Sequence, residues 1–295
     1  MKKVLLTGAT GLIGKYSLKP LLDAGFEVFA VSSNEKASGN HINWIKADLL
    51  NFEEIENIFE EIKPEYLLHF AWDTTSGSYL ESNLNFDWVQ ASLYILKQFK
   101  LNGGKRAVYA GTCFEYEFKG APLNEEDKLN PISTYAKCKN FLNQMATLYC
   151  KKNNISFGWG RIFYIYGENE QEKRLIPQVI SCLEQDKEFI TSSGELIKDY
   201  IFAGDAAEAF VKFLDSNVDG CVNICTETAV TIKEIVTLVA AKLNKNHLVK
   251  FENNILNEPK IIVGDNTRLK TEVKFAPKYS LEQGLDRIIK GNTNE

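Results

Sequence analysis

Near its start the chain reads Val4-Leu5-Leu6-Thr7-Gly8-Ala9-Thr10-Gly11-Leu12-Ile13-Gly14. A short apolar run ending in glycine reads as a buried strand. Leu12, Ile13, Tyr16, Leu21 and Leu22 then recur at roughly helical spacing. Glycines at 8, 11 and 14 between a strand and a helix admit few folds. Glycine permits the tight turn and the close approach of backbone, and the helix N-terminus offers free N–H groups and a positive dipole end. In this context the pattern marks a dinucleotide pyrophosphate site, built by Gly8, Thr10, Gly11, Leu12, Ile13 and Gly14.

The rest of the first half keeps the same rhythm. Strands are expected over Glu27–Val31, Ile42–Ile45, Tyr66–Phe70, Ala107–Ala110 and Ile155–Ile162, and helices over residues 52–62, 84–101 and 134–152. Strands alternating with helices argue for a doubly wound parallel sheet covered on both faces. After Gly167 the order loosens, and Asn, Glu and Lys become frequent. This predicts a dinucleotide-binding domain over 1–165 and a smaller α+β substrate lobe over 166–295, with the chain free to cross between them. No internal repeat or low-complexity segment interrupts this plan.

Charge and composition exclude other classes. Lys and Arg number 34 against 39 Asp and Glu, a net charge of −5. That balance argues against nucleic acid or an anionic membrane as partner. Six cysteines without a C-x-x-C pair read as reduced thiols of a cytoplasmic protein. His41, His69 and His247 lie far apart, so no metal site is expected, and His69 reads as a satisfied buried histidine. No apolar run reaches transmembrane length, and the apolar stretch after Lys3 is too short for a signal peptide. The absence of G-x-S-x-G weighs against an α/β-hydrolase.

The tip of the second strand selects the cofactor. An acid there would bond the ribose 2′-hydroxyl and repel a 2′-phosphate. The segment instead reads Ser32-Ser33-Asn34-Glu35-Lys36. Ser32 and Ser33 can donate to a phosphate and Lys36 can add charge, which favours NADP(H) over NAD(H). Asp48, followed by Leu49, stands after the third strand where a carboxylate can accept from an adenine amino group. Phe70, Ala71 and Trp72 end the fourth strand beside the expected cofactor.

Tyr135 and Lys139 are spaced i and i+4, on one helix face. A free tyrosine is a poor base at neutral pH, and a fixed ammonium beside it stabilises the phenolate. With Thr112 ending the fifth strand, the chain resembles the extended short-chain dehydrogenase/reductase family of nucleotide-sugar epimerases, dehydratases and reductases. Its Ser/Thr–Tyr–Lys triad falls on Thr112, Tyr135 and Lys139. Arg161-Ile162-Phe163-Tyr164-Ile165-Tyr166-Gly167 matches its R-x-x-N-x-Y-G segment, Lys198-Asp199-Tyr200-Ile201-Phe202 its R-D-[FY]-[IV] segment, and Asp265-Asn266-Thr267-Arg268-Leu269 its C-terminal signature. The resemblance implies a Rossmann-type α/β fold, and it adds Ala110 and Phe163 to the cofactor set.

Departures from the family pattern narrow the activity. Family 4,6-dehydratases carry Thr-Asp-Glu where this chain has Thr112-Cys113-Phe114, which argues against elimination. Cys113 lies one position from the Cys base of the GDP-fucose synthases, without their partner His. Tyr164 replaces the family Asn and Lys198 a diphosphate-binding Arg. Another family Arg aligns with Ile255, leaving Arg174 or Lys260 as replacements. Thr112, Cys113, Phe114, Tyr164, Arg174 and Lys198 form the implied substrate set. The segment from Leu175 to Phe202 most resembles the 4-keto reductases of deoxysugar pathways, such as those making CDP-abequose. The implied reaction is NADPH-dependent reduction of the C4 keto group of an NDP-4-keto-6-deoxy-sugar for surface polysaccharide. Tyr135 would protonate the alkoxide, Lys139 would hold the nicotinamide ribose and Thr112 would orient the C4 oxygen. A C4-epimerase with tightly bound NAD and a non-enzymatic NADP sensor are the alternatives. The family's habit implies a homodimer through helices 84–101 and 134–152, with Tyr94, Phe99, Phe141 and Leu148 at the contact or in the core.

Overall fold

The structure is a computed structural model that describes residues 2–39, 41–254 and 258–292. Its first half alternates β1 (Lys2–Thr7), α1 (Leu12–Asp23), β2 (Phe26–Ser32), β3 (Ile42–Lys46), α2 (Phe52–Ile62), β4 (Tyr66–His69), α3 (Leu84–Leu101), β5 (Arg106–Thr112), α4 (Thr134–Asn153) and β6 (Ser156–Ile162). Then follow β7 (Tyr164–Tyr166), α5 (Leu175–Glu184), β8 (Phe189–Thr191), β9 (Ile197–Lys198), β10 (Tyr200–Phe202), α6 (Ala203–Leu214) and β11 (Gly220–Ile224). The chain ends with β12 (Val230–Thr231), α7 (Ile232–Lys242), β13 (Val249–Phe251), β14 (Ile261–Ile262), α8 (Thr267–Thr271) and α9 (Leu281–Asn292).

The helix ends follow local chemistry. Asn51 caps α2 by accepting from Glu53 N, and the helix stops at left-handed Lys63 before Pro64. Ser133 Oγ accepts from Ala136 N at 3.2 Å and starts α4, which ends at left-handed Asn154.

Seven strands form one parallel sheet in the order β3-β2-β1-β4-β5-β6-β11. The strand order reverses between β1 and β4, and ligands of such sheets bind at that switch, outside the strand C-termini. Helices cover both faces, so every residue of β5 is buried. One core packs β1 and β2 against α1 and α6, and the other packs β4 and β5 against α2, α3 and α4. Phe99 is fully buried in the second core beside Phe59, so it serves packing and no subunit contact.

The second half of the chain is not confined to the smaller lobe. α6 packs on α1, and β11 extends the sheet beyond β6. Arg106 of β5 holds this return in place. Its buried guanidinium donates to the carbonyls of Phe213, Leu214 and Val218 at 2.6 to 2.9 Å, at the C-terminus of α6. A cation there satisfies carbonyls that have no partner within the helix. The smaller lobe surrounds a third core from α5, α7 and α9, with Tyr166, Phe189 and Phe202. Among the described residues no helix is long and apolar enough to cross a membrane.

Candidate active site

The glycine turn is held by backbone contact. Gly8 has φ of +67°, and a Cβ there would stand 2.7 Å from Ala71 N, at the end of β4. A methyl group on Gly14 would collide with the Gly8 carbonyl, which itself accepts from Gly11 N at 3.0 Å. Gly11 caps α1 without a side-chain bond, so the N–H groups of the first turn stay available. A cleft of about 870 Å³ opens beyond this turn, within the usual size range of ligand sites. The turn presses backbone on backbone and offers bare N–H groups to the cleft, as a dinucleotide pyrophosphate requires.

Most of the expected residues meet on the walls of this one cleft. Gly8, Thr10, Gly11, Leu12, Ile13 and Gly14 form one end, with Ser32, Ser33, Asp48 and Leu49 beyond the tips of β2 and β3. Phe70, Ala71, Trp72, Ala110 and Phe163 lie towards its middle, and Thr112, Cys113, Phe114, Tyr135, Lys139, Tyr164 and Arg174 towards the smaller lobe.

Lys36 and Lys198 stand elsewhere. The Lys36 ammonium lies 5.3 Å from the centroid of the Trp44 ring on β3, drawn there by the cation–π attraction of its neighbour. Lys198 is buried behind Tyr164, 5.3 Å from that ring, donating to Pro259 O at 3.3 Å with Glu258 alongside. Burial pushes its ammonium below the usual lysine range. Lys260 is exposed, and its carbonyl accepts from Ile197 N. Ile255 lies outside the described residues.

The triad is desolvated. Tyr135, Lys139 and Thr112 are all buried and line the cleft together. Lys139 Nζ donates to Ala110 O at 2.9 Å and sits 3.8 Å from the centroid of the Trp72 ring. Tyr79 and Trp72 pack edge-on to Tyr135, with centroids 5.0 and 6.2 Å away. Burial pushes the Tyr135 phenol up, with the Thr112 side chain acting to lower it. Burial also brings Lys139 down to about 7, with the Glu115 carboxylate pulling it back up. Cys113 sits among Tyr116, Leu123, Phe163 and Cys225, and burial pushes its thiol up, so it acts as packing and not as a base.

His69 is buried, with Nδ1 2.7 Å from Thr7 Oγ1 and Nε2 2.9 Å from Ser92 Oγ. Burial and then the Lys139 charge bring it down to about 3. It is therefore neutral and fully bonded.

The cleft also contains residues without a sequence signal. Tyr79 follows β4 in an irregular stretch, and Lys15, Glu170 and Tyr200 line other parts of the wall. Lys15 had the most visible cue, as the residue next to Gly14. Thr74 and Ser76 are joined across the mouth to Gln171 and Arg174. Ser76 N donates to Gln171 Oε1 at 2.7 Å, and Arg174 donates to Thr74 O at 3.0 Å.

Burial of Lys139 has a consequence for stability. Its ammonium is disfavoured in the fold but not in the unfolded chain, where the ordinary value is 10.5. The cost is complete below about pH 7 and disappears as pH rises from about 7 to 10.5. Lys139→Met is expected to raise the melting temperature most at pH 6 and progressively less towards pH 10, in thermal melts by circular dichroism, while removing activity.

Residues 4–225 match the NAD dependent epimerase/dehydratase family. The dTDP-4-dehydro-6-deoxyglucose reductase of Escherichia coli is 26% identical over 97% of this chain and 96% of its own length. CDP-abequose synthase of Salmonella typhimurium is 23% identical over 97% of each chain. In fold, the UDP-glucose 4-epimerase of Thermotoga maritima, solved with UDP-glucose, superposes with a TM-score of 0.89 at 20% identity, over 99% of this chain and 100% of its own. The family match covers well over half of the sequence and includes the glycine turn, Thr112, Tyr135 and Lys139. The chain belongs to the NAD dependent epimerase/dehydratase family.

Proposed function

We propose that the chain reduces the C4 keto group of a nucleotide-linked 4-keto-6-deoxy-sugar with NADPH, in the cytoplasm, as a step of deoxysugar synthesis for surface polysaccharide. The observation that carries this reading is the end of β5. A protonated phenol, Tyr135, stands beside Thr112, and the next two positions are a neutral thiol and a phenyl ring. Elimination needs carboxylates at those positions, and Cys113 and Phe114 provide none. Tyr135 beside Thr112 can pass a proton to or from a sugar oxygen, and the absence of a carboxylate at Cys113 and Phe114 removes elimination from its repertoire. The E. coli and Salmonella relatives, named for a reductase and a CDP-abequose synthase, support the same reading.

NADPH, when bound along the glycine turn, supplies the hydride. The chain supplies the rest. Tyr135 Oη delivers a proton to the oxygen that becomes the alkoxide. Thr112 Oγ1 orients that oxygen and the phenol together, as a preorganised donor in a site shielded from water. Lys139 remains next to the phenol, and its ammonium offsets the phenolate left after proton transfer. Tyr79 and Trp72 close the site around Tyr135.

The NADPH preference rests on the tip of β2. Ser32 Oγ accepts from Asn34 N at 3.2 Å and keeps its own proton to donate, and Ser33 is exposed beside it. Lys15 lines the same cleft and replaces Lys36 as the cation. All six cysteines are free, as expected of a protein working in the cytoplasm.

The reading pairs α4 with a second copy. Phe141, Met145 and Leu148 recur at i, i+4 and i+7, each more than half exposed. Tyr94 has partners within its own chain, bonding Glu56 and stacking on Phe52.

Three measurements test this proposal. Purified protein is mixed with NADPH or NADH and enzymatically prepared CDP-, GDP-, dTDP- or UDP-linked 4-keto-6-deoxy-sugars, and cofactor absorbance is followed. One substrate is expected to consume NADPH stoichiometrically, and Tyr135→Phe to lose turnover while still binding cofactor. Interconversion of 4-hydroxy epimers without added cofactor would establish the epimerase instead. Ser33→Asp is expected to raise the KM for NADPH at least about tenfold through like-charge repulsion, with little effect on NADH. Phe141→Glu is expected to shift a dimer to a monomer in analytical ultracentrifugation; a wild-type monomer would refute the pairing.

A further inference from the structure

Glu170 lies in the turn after β7, where its N–H donates to Gly167 O at 3.3 Å and the preceding Asn169 is left-handed at φ of 62°. The turn folds the side chain inwards. Among the described residues, the buried side-chain polar atoms without a hydrogen-bond partner are Asn140 Oδ1, Asn266 Oδ1 and Glu170 Oε2. Of these three residues, Glu170 is the one that lines the cleft. Nothing in the fold uses that oxygen. A buried carboxyl oxygen left unpaired is destabilising, so its persistence at a binding wall points to a ligand group.

The neighbourhood indicates which part of a ligand arrives there. The Arg174 guanidinium acts on the Glu170 carboxyl and also lies 5.1 Å from the centroid of the Tyr79 ring. Tyr79 packs against Tyr135 at 5.0 Å. Glu170 is therefore connected to the proton donor through two intervening side chains, Arg174 and Tyr79. Sugar hydroxyls bond a carboxyl in either ionisation state. Burial raises the group to about 8, against the pull of the Arg174 guanidinium, so at neutral pH it is an uncharged acid. Burial, and after it the Glu170 carboxyl, pushes up the phenol of half-buried Tyr200 on the same cleft wall.

We infer that Glu170 is a specificity residue of the substrate site, with Oε2 accepting a hydrogen bond from a hydroxyl of the hexose. The inference rests on the nucleotide-sugar reading above and adds to it the group that distinguishes the sugar from the nucleotide.

The test measures hexose recognition separately from nucleotide binding. Wild type, Glu170→Ala and Glu170→Gln, each saturated with NADP⁺, are titrated calorimetrically with a nucleoside diphosphate and with the corresponding nucleoside diphosphate 6-deoxyhexose. Wild type is expected to bind the sugar-bearing ligand more tightly than the bare diphosphate. Glu170→Ala is expected to lose about tenfold of that difference, the scale of one hydrogen bond, with diphosphate and NADP⁺ affinities unchanged. Glu170→Gln keeps an acceptor oxygen and is expected to remain within about threefold of wild type. A Glu170→Ala protein that keeps the full difference overturns the inference. So does an equal loss for both ligands, which would place the carboxyl against the nucleotide. A wild type with no preference for the sugar-bearing ligand would overturn the nucleotide-sugar reading itself, and this inference with it. If Glu170→Ala fails to fold, wild type and Glu170→Gln are compared on hexoses lacking one hydroxyl at a time. Loss of affinity at one position supports the inference, and uniform affinity overturns it.

Discussion

The fully buried carboxylate of Glu115 connects the fold to the site. It accepts from Thr112 N at 2.9 Å, from Trp159 Nε1 at 2.9 Å and from Arg161 Nε at 2.9 Å. Arg161 in turn donates to Tyr116 Oη and Glu125 O, and Tyr116 donates to Asn223 Oδ1 at 2.7 Å. One network thus joins the end of β5 to β6 and β11. Removing one partner of such a buried pair typically costs about 3–5 kcal/mol, because it leaves an uncompensated charge. Glu115 also provides the negative potential that keeps Lys139 from losing its proton altogether. The position of Thr112 and the charge of Lys139 therefore depend on one carboxylate that does not line the cleft.

Desolvation governs the chemistry of the cleft. It neutralises His69, keeps Tyr135 protonated and brings Lys139 close to neutrality. Perturbed groups gathered in one concavity are a mark of functional sites. Here they have distinct tasks: His69 is a bonded strut between Thr7 and Ser92, Tyr135 a proton donor, and Lys139 a tunable charge. The smaller lobe contributes what a parallel sheet cannot, the turn of Glu170 and Arg174 that faces Tyr79 across the opening. Asp199, in the segment matched to the family, serves the lobe's framework. Its carboxylate accepts from Thr226 N, Thr226 Oγ1 and Glu227 N at 2.6 to 2.9 Å.

Much of this was legible in the residues. The glycine spacing, the strand–helix alternation and the i, i+4 pair of Tyr135 and Lys139 are local patterns, and they placed the turn, the parallel sheet and most of the cleft wall. Where the structure departs from the expectation, the causes are physical. Lys36 was assigned by its position near the β2 tip, but a flexible ammonium goes to the nearest favourable surface, here the Trp44 ring on another strand. Lys198 aligns with a family Arg, yet its ammonium donates to Pro259 O and lies 5.3 Å from the Tyr164 ring, off the cleft wall. Phe99 has a helical spacing equally suited to core and surface, and only the packing of α2 against α3 buried it. Tyr79 opens a single 3-10 turn and Glu170 sits in a loop turn, both too short for a periodicity to mark a side chain.

By itself the sequence determined the elements, their parallel order and the chemical inventory of the site, because these depend on side-chain period and on contacts close along the chain. Tertiary structure decided the protonation of Tyr135, the lowered proton affinity of Lys139 and the burial of one Glu170 oxygen without a hydrogen-bond partner at the cleft wall. Those properties follow from how much water is excluded around each group, and that is set by side chains tens to hundreds of residues away.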